Sequence, residues 1–251
     1  MKNKQSGNVL IIILIAVVLF AALSYAVLSS SRSGGNDISP EKARAYASAI
    51  IQNIAPIRAA IIRVETINGC TDETLDFNNL FYRKNNDTAI TPVNATAPLD
   101  KRCNIFDPAG GGVVLTVPPA GALGNNPDTA GMGNWKTGHG GFKIGQIKGV
   151  GTDGPAGTAS ANDVYLSQNY LNKATCMAIN DLNGVPNSSG DAPSALTMIV
   201  SGTAANGVAD SFTLSTQIMD FPARNGALIY CTTYGTGSAQ VYQMHAVVIE
   251  R

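Results

Sequence analysis

The sequence predicts an α+β protein: an N-terminal transmembrane helix, then a second, amphipathic helix packed on a mostly antiparallel β-sheet domain with long Gly-rich loops. Three observations predict this class. Residues 9–28 carry no charge, residues 39–69 place apolar side chains at helical spacing, and the remainder alternates short apolar runs with glycine-rich stretches. The first helix, the second helix and the sheet are justified in that order.

The apolar segment at the N-terminus indicates a membrane location. A helix of its 20 residues, at about 1.5 Å per residue, covers the roughly 30 Å hydrocarbon core of a bilayer. Lys2 and Lys4 precede it and favour a cytoplasmic N-terminus. We therefore expect a single-pass protein of the bacterial inner membrane, with its C-terminal domain in the periplasm or outside the cell.

Three interpretations of this segment remain open from its residues. It is an uncleaved anchor, a secretory signal peptide cut after Ala26, or the start of a mature chain cut after Gly7. In the third interpretation, the short basic leader ending in Gly7, followed at once by the apolar run, resembles type IV pilins and the pseudopilins of type II secretion. The resemblance implies that a prepilin peptidase cuts between Gly7 and Asn8. It also implies that the apolar helix joins other pilin-like subunits after storage in the lipid bilayer.

Two positions refine the resemblance. Asn8 stands where the family usually has Phe or Met, and Ile12 stands where it usually has Glu. Some minor pilins and the tip pseudopilin also lack that Glu, so the resemblance implies a minor or tip subunit of a pilus or pseudopilus. The alternative is a single-span anchored periplasmic binding or scaffold domain that does not assemble. The predicted organisation is a leader (1–7), a transmembrane helix (8–30), a linker (31–38) and an extracytoplasmic domain (39–251), with its helix at 39–69 and its sheet at 70–251.

The second helix has start and stop signals. Ser39 offers an N-cap oxygen, Pro40 suits the first helical position, and Gly69 is a candidate C-cap. Pro56 lacks a backbone donor and predicts a kink. One stripe of apolar residues predicts the face that packs on the chain's own sheet: Ala43, Ala47, Ile50, Ile54, Ile57, Ile61 and Val64.

The rest of the chain predicts a third helix and a set of strands. The helical spacing of Leu166, Tyr170 and Ala174 predicts a helix over residues 163–182, ended by Asn183 and Gly184. The predicted strands are 112–117, 141–147, 194–201, 211–219, 227–233 and 240–249. Between residues 110 and 157 we expect mostly loop, which includes Trp135 and His139.

The four cysteines form an even set that permits three pairings. Thiols outside the cytoplasm tend to oxidise. We favour Cys70 with Cys103, which closes the segment after the long helix, and Cys176 with Cys231, which joins a helix to a strand. A disulfide in the C-terminal part of the domain is also a feature of pilins.

The composition argues against several functions. Seventeen basic and 17 acidic residues balance, so we expect no nucleic-acid partner. No Cys-x-x-Cys pair occurs, and we expect no metal and no cofactor. Asp181, Asn183 and Asp191 leave a calcium loop as a minor alternative, without the spacing of an EF-hand.

Catalytic signals are equally sparse. Residues 149–154 match GxGxxG, but Pro155 and Gly157 disfavour the helix that a dinucleotide site needs. GxSxG and Walker A motifs are absent, and His139 and His245 are isolated in the sequence. A Ser-His-Asp arrangement needs no particular spacing and stays open. We expect a non-enzymatic protein with no catalytic residue, and a structural role for His245 in a strand.

Overall fold

The computed structural model describes residues 13, 15, 17–18, 38–77, 94, 96–114, 116, 118–124, 140–155, 158–195, 199–201, 205–206, 218–224, 226–235 and 240–251. The chain separates into two compact units, Met1–Asp37 and Ile38–Arg251. In the first unit Ile13, Ile15, Val17 and Val18 are helical and exposed. The other residues of the predicted transmembrane helix lie outside the described part.

The second unit begins with two helices in direct succession, α1 (Pro40–Gln52) and α2 (Ile54–Asn68). Ser39 caps α1, because its Oγ accepts a hydrogen bond from the Lys42 amide at 3.4 Å. Gly69 ends α2 in the left-handed region at φ 65°, where a residue without Cβ is unstrained. Both predicted caps are therefore confirmed.

The predicted kink lies slightly earlier than Pro56. The helix is interrupted at Asn53, three residues before the proline. Pro56 offers no amide to the Gln52 carbonyl, and its ring crowds that carbonyl. The proline thus breaks the helix in the turn that precedes it, at Asn53.

The stripe predicted to pack on the sheet is buried. Its seven residues are at most 4% exposed. On α2, the Arg58 Nε also donates to the Val247 carbonyl at 3.0 Å, which ties the helix to the last strand. Within the described residues, Pro40–Asn68 is the one helical stretch long and apolar enough to cross a membrane by length and composition. Its stripe is buried in the core of the domain, but the predicted packing on the sheet holds only in part. Pro40–Gln52 packs mainly against a further helix, Lys173–Leu182, whereas Ile54–Asn68 contacts the last strand.

In the part of the chain that the structure describes, seven strands form one sheet: β1 (Gly140–Ile147), β2 (Asp163–Leu171), β3 (Ile199–Ser201), β4 (Ala205–Asn206), β5 (Ile218–Met219), β6 (Ile229–Tyr234) and β7 (Val241–Ile249). Their order is β3-β5-β1-β2-β7-β6, and β4 also pairs with β1. The four strands β1-β2-β7-β6 are antiparallel, whereas β5 runs parallel to β1. A third helix, α3 (Lys173–Leu182), follows β2 directly. The domain is therefore α+β.

The prediction of one helix over residues 163–182 is wrong in its first half. Residues Asp163–Leu171 form the central strand β2, and only Lys173–Leu182 is helical. Eight of the nine β2 residues are buried, so both faces of the strand are covered and no alternation marks it. Asn172 separates the two elements, because its side chain accepts a hydrogen bond from the Thr175 amide at 2.8 Å as an N-cap.

Three other strand predictions agree with the structure within two residues: 141–147 is β1, 227–233 is β6 and 240–249 is β7. The strand predicted at 112–117 is wrong for its described residues, which are loop. There Val113 donates to the Ile105 carbonyl, and Arg63 binds the carbonyl of Gly110 at 3.1 Å, so a turn holds the segment.

The remaining strand predictions are partly described. Of 194–201, residues 199–201 are β3 and Ser194 forms an isolated bridge to Thr233. Of 211–219, the last two residues are β5, and 211–217 lie outside the described residues. Trp135 and His139 of the glycine-rich loop also lie outside them.

The sheet has apolar packing on both faces. Phe142, Leu166 and Ala246 share the main core with the three helices. A smaller cluster on neighbouring positions contains Tyr165, Val247 and Met219. Because successive residues of a strand point to opposite faces, Tyr165 and Leu166 mark the two sides of β2.

Short 3-10 helices join these elements: Asp72–Thr74, Ala120–Ala122, Ala159–Ala161, Ser188–Gly190 and Pro222–Arg224.

Candidate functional site

The predicted processing site, Gly7 and Asn8, lies outside the described residues. The candidate site features among the described residues all belong to the second unit. They are the two disulfides, the hydrogen bonds between the Asn180 side chain and the Cys231 backbone on β6, the loop that matches GxGxxG, and a groove between α1 and α3.

The structure pairs Cys70 with Cys103 and Cys176 with Cys231, which is the pairing that the sequence favoured. The Cα atoms are 5.8 Å apart in the first disulfide and 5.4 Å apart in the second. Cys176 and Cys231 are fully buried, and Cys70 and Cys103 are at most 7% exposed. Both disulfides are therefore part of the folded interior.

A second link between α3 and β6 lies one turn after Cys176. The buried Asn180 accepts a hydrogen bond from the Cys231 amide at 2.7 Å and donates to the Cys231 carbonyl at 3.0 Å. The Asn180 side-chain amide thus forms hydrogen bonds with both the N–H and the C=O of Cys231, as the backbone of a neighbouring strand would. Cys176 and Asn180, four residues apart, share one helix face and hold the same residue. Sequence reasoning missed Asn180, although this spacing was its one available signal.

Together these contacts cover the outer edge of the sheet. β6 is the last strand in the order, so its outer backbone groups would otherwise be open. Asn180 takes both groups of Cys231, and the Thr233 amide donates to the Pro193 carbonyl at 2.8 Å. At these positions the chain covers its own edge strand, and addition of a strand from a partner is blocked there.

The loop that matches GxGxxG packs against the end of the chain instead of opening a helix. Gly149 and Gly151 have φ values of 73° and 54°, and Pro155 follows in a bend. The Thr152 amide donates to the Arg251 carbonyl. A Cβ on Gly151 would collide with the Arg251 backbone, so this glycine permits a close approach of two backbones.

His245 is buried on β7. Its Nε2 lies 3.3 Å from the Thr232 Oγ1, and its ring lies 5.2 Å from the Tyr230 ring and 5.8 Å from the Tyr165 ring, centroid to centroid. Only 5% of the residue is exposed. This position among aromatic rings agrees with the structural role predicted for it.

The three residues of the minor calcium alternative are engaged separately. Asp181 accepts from Asn187 at 2.8 Å, Asn183 donates to the Ile179 carbonyl at 2.7 Å, and Asp191 pairs with the Lys173 ammonium at 3.4 Å. Among the residues that the structure describes, no group of three or more His, Cys, Asp or Glu side chains could hold a metal ion.

A groove of about 340 Å³ lies between α1 and α3. Its apolar lining includes Ala43, Met177 and Ala178, and its charged lining consists of Glu41, Arg44 and Asp181. None of the side chains that line it is a Ser, Cys, Thr, Lys or His. The groove therefore offers an apolar surface with charges of both signs, without a nucleophile of those types.

These features describe a disulfide-linked domain with a covered edge strand more clearly than a chemical site. Comparison of the chain with protein-family models, with curated proteins and with solved structures gives no match.

Proposed function

We propose that the chain is a membrane-anchored, non-enzymatic structural subunit of a pilus or pseudopilus, of the minor or tip type. The observation that carries the proposal is the order of its parts. A leader with Lys2 and Lys4 ends in Gly7, an uncharged 20-residue segment follows, and a disulfide-linked domain comes after it. In this proposal residues 9–28 anchor the chain in the bacterial inner membrane, and the domain lies outside the cytoplasm.

The two disulfides support the proposed side of the membrane. Disulfides form and persist in oxidising compartments such as the periplasm and are rare in the cytosol. All four cysteines of the chain are paired, and the lysines before the apolar segment favour the same orientation. Orientation and cysteine chemistry are independent features, and both favour an exported domain.

The arrangement of the domain supports the pilin-like part of the proposal. The stripe of the two successive helices is buried; α1 packs mainly against α3, and α2 contacts β7, to which Arg58 is bound. A disulfide joins α3 to the edge strand in the C-terminal part of the chain. These are the features that the resemblance to pilins implies, although Gly34 and Gly35 separate the two helical segments of this chain.

The proposed mechanism needs the apolar helix to survive processing. A prepilin peptidase would remove residues 1–7 and leave the helix attached to the domain, where it packs against other pilin-like subunits. Ile12 cannot pair with a neighbouring N-terminal amine as the usual Glu does. We therefore propose few copies per filament. The alternative function, an anchored domain that does not assemble, requires no cut at Gly7.

N-terminal sequencing of the mature protein tests the proposal. The full chain is produced in a bacterium with a prepilin peptidase, and we expect the mature protein to start at Asn8. A start at Met1 or Lys2 would identify a plain anchor, and a start at Val27 a secreted domain; either result refutes the proposal.

A pair of variants makes this test specific. Gly7→Val should block the cut, because a Cβ at this position crowds the approach of the peptidase to the backbone. The uncut variant should stay in the membrane, since residues 9–28 are unchanged. Gly35→Val, in the linker, is the matched control and should be cut like the natural chain. Equal cutting of both variants would exclude recognition of Gly7.

A further inference from the structure

Asp163 is a buried carboxylate at the point where three strands are joined. It is the first residue of β2 and is 0% exposed. Its Oδ2 accepts a hydrogen bond from the Ile147 amide at 2.9 Å, and its Oδ1 accepts one from the Arg251 amide at 3.1 Å. One side chain therefore connects the end of β1, the start of β2 and the segment that follows β7.

The charges around Asp163 are mostly of its own sign. Asp153, from the loop after β1, and Glu250, from the end of β7, both interact unfavourably with its negative form. The amide of Arg251 binds Asp163, but its guanidinium pairs with Asp72 at 3.2 Å and Glu73 at 3.9 Å. Among the described residues, no basic side chain forms an ion pair with Asp163.

Tyr230 faces Asp163 from β6, and Arg224 lies next to Tyr230. Tyr230 is fully buried, and its phenol interacts electrostatically with both Asp163 and Arg224. Arg224 is 4% exposed and donates to the Lys148 carbonyl at 2.6 Å and to the Ala227 carbonyl at 3.3 Å. The buried guanidinium is thus held by backbone oxygens, and the donors to Asp163 among the described residues are two backbone amides.

These surroundings oppose the charged form of Asp163. Removing a carboxylate from water is expensive unless a cation compensates it, and the two nearby carboxylates add repulsion. Burial, the largest effect, raises the pKa of Asp163 to about 7, although the two backbone hydrogen bonds act in the opposite direction. The group titrates near neutrality while it holds the ends of two strands.

We propose that Asp163 is a proton-operated lock on the end of the domain, which makes the folded chain more stable in mildly acidic than in alkaline medium. With its proton bound, the side chain carries no charge and is not repelled by Asp153 and Glu250. When the proton leaves, a buried negative charge remains with which no basic side chain of the described residues forms an ion pair. The inference concerns the domain alone and does not depend on the proposed assembly.

The sign of the effect follows from linkage. An aspartate in the unfolded chain loses its proton near its ordinary pKa of about 3.9. In the folded domain Asp163 keeps its proton up to about pH 7. Between these values unfolding releases a proton, so the unfolding equilibrium constant rises about tenfold per pH unit from this group. The stabilisation is complete below about pH 4 and is lost as the pH rises through 7.

Urea unfolding of the full chain tests the lock. The protein is kept in detergent with both disulfides intact, and its circular dichroism is followed at several values between pH 4.5 and 9. Asp163→Asn removes the titration, and we expect the ratio of the variant's unfolding constant to that of the natural chain to fall strongly from pH 5 to pH 8. Asp220→Asn is the matched control, because Asp220 is partly exposed and lies 3.7 Å from the Lys148 ammonium. This variant should keep the natural pH profile.

The inference is overturned if Asp163→Asn and the natural chain show parallel pH profiles, or if the control changes the profile equally. A second variant covers the case in which Asp163→Asn does not fold. Asp153→Asn removes one repelling carboxylate and so lowers the pKa of Asp163, and the loss of stability should therefore end at a lower pH and be smaller in total. An unchanged profile in Asp153→Asn would contradict the proposed surroundings of Asp163.

Discussion

Removal of the disulfide between α3 and β6 is the perturbation whose magnitude follows most directly from the structure. The variant carries Cys176→Ala and Cys231→Ala, which are 55 residues apart in the sequence. Alanine is chosen because both cysteines are fully buried, and a serine hydroxyl would need a new partner there. The substitution releases a long loop of the unfolded chain.

The chain-entropy relation gives a loss of about 4 kcal/mol in the free energy of unfolding for a loop of this length. Typical domains have about 5–15 kcal/mol in total. Asn180 still binds Cys231's backbone groups in the variant, because it contacts main-chain atoms that alanine retains. We therefore expect the variant to fold, with a much lower stability.

The assay is urea unfolding of the full chain in detergent, compared under oxidising conditions with the natural protein. The matched control carries Cys70→Ala and Cys103→Ala. In the natural chain the disulfide between these cysteines closes a loop of sequence separation 33. The same relation gives a loss about 0.5 kcal/mol smaller for this control. Both variants should therefore lose similar amounts, because the dependence on loop length is logarithmic.

One result would refute this reasoning. If the Cys176/Cys231 variant lost less than about 1 kcal/mol while the control lost about 4, loop closure would not describe the contribution of the buried disulfide. Peptide mapping without reductant provides the qualitative check. It should recover Cys70 joined to Cys103 and Cys176 joined to Cys231, and recovery of any other pairing would contradict the structure.

Two further predictions concern single substitutions. Asn180→Ala should lower the free energy of unfolding by about 2–4 kcal/mol, because it leaves both backbone groups of Cys231 without their partner. The control in the same urea assay is Asn183→Ala, which removes one part-buried hydrogen bond and should lower the free energy of unfolding by less than about 1 kcal/mol. Equal losses in the two variants would contradict the role of Asn180 in holding Cys231. Gly151→Ala should destabilise more than Gly184→Ala, since both glycines have positive φ but only Gly151 has backbone within reach of a new Cβ. Thermal unfolding compares the two, and equal midpoints would exclude the close approach.

Local signals in the sequence determined the boundaries of the long helix. Ser39 and Gly69 cap it as predicted, because capping depends on residues within one turn. The buried stripe was also readable, since its spacing repeats along one face. The even number of cysteines permitted three pairings, and their positions relative to the predicted elements favoured the one that the structure shows.

Tertiary packing alone decided that residues 163–171 form the strand β2 and not a helix. Residues 163–171 show helical spacing, but the sheet covers the segment on both sides and eight of its nine residues are buried. A strand that is buried on both faces has no alternation to read, and sheet contacts override weak local preference. The Asn172 cap then allows the change to helix within a single residue.

The features of the candidate site also divide into those that the sequence alone indicates and those that only the folded structure creates. The sequence by itself predicted the leader and showed the uncharged segment and the cysteines, because composition and order carry these signals without any folding. Only the tertiary structure placed Asn180 against Cys231, and Asp163 between Ile147 and Arg251, across separations of 51, 16 and 88 residues. The physical reason is that a side chain's hydrogen-bond partner and its protonation depend on burial and on neighbours from distant strands, and neither is encoded in local spacing.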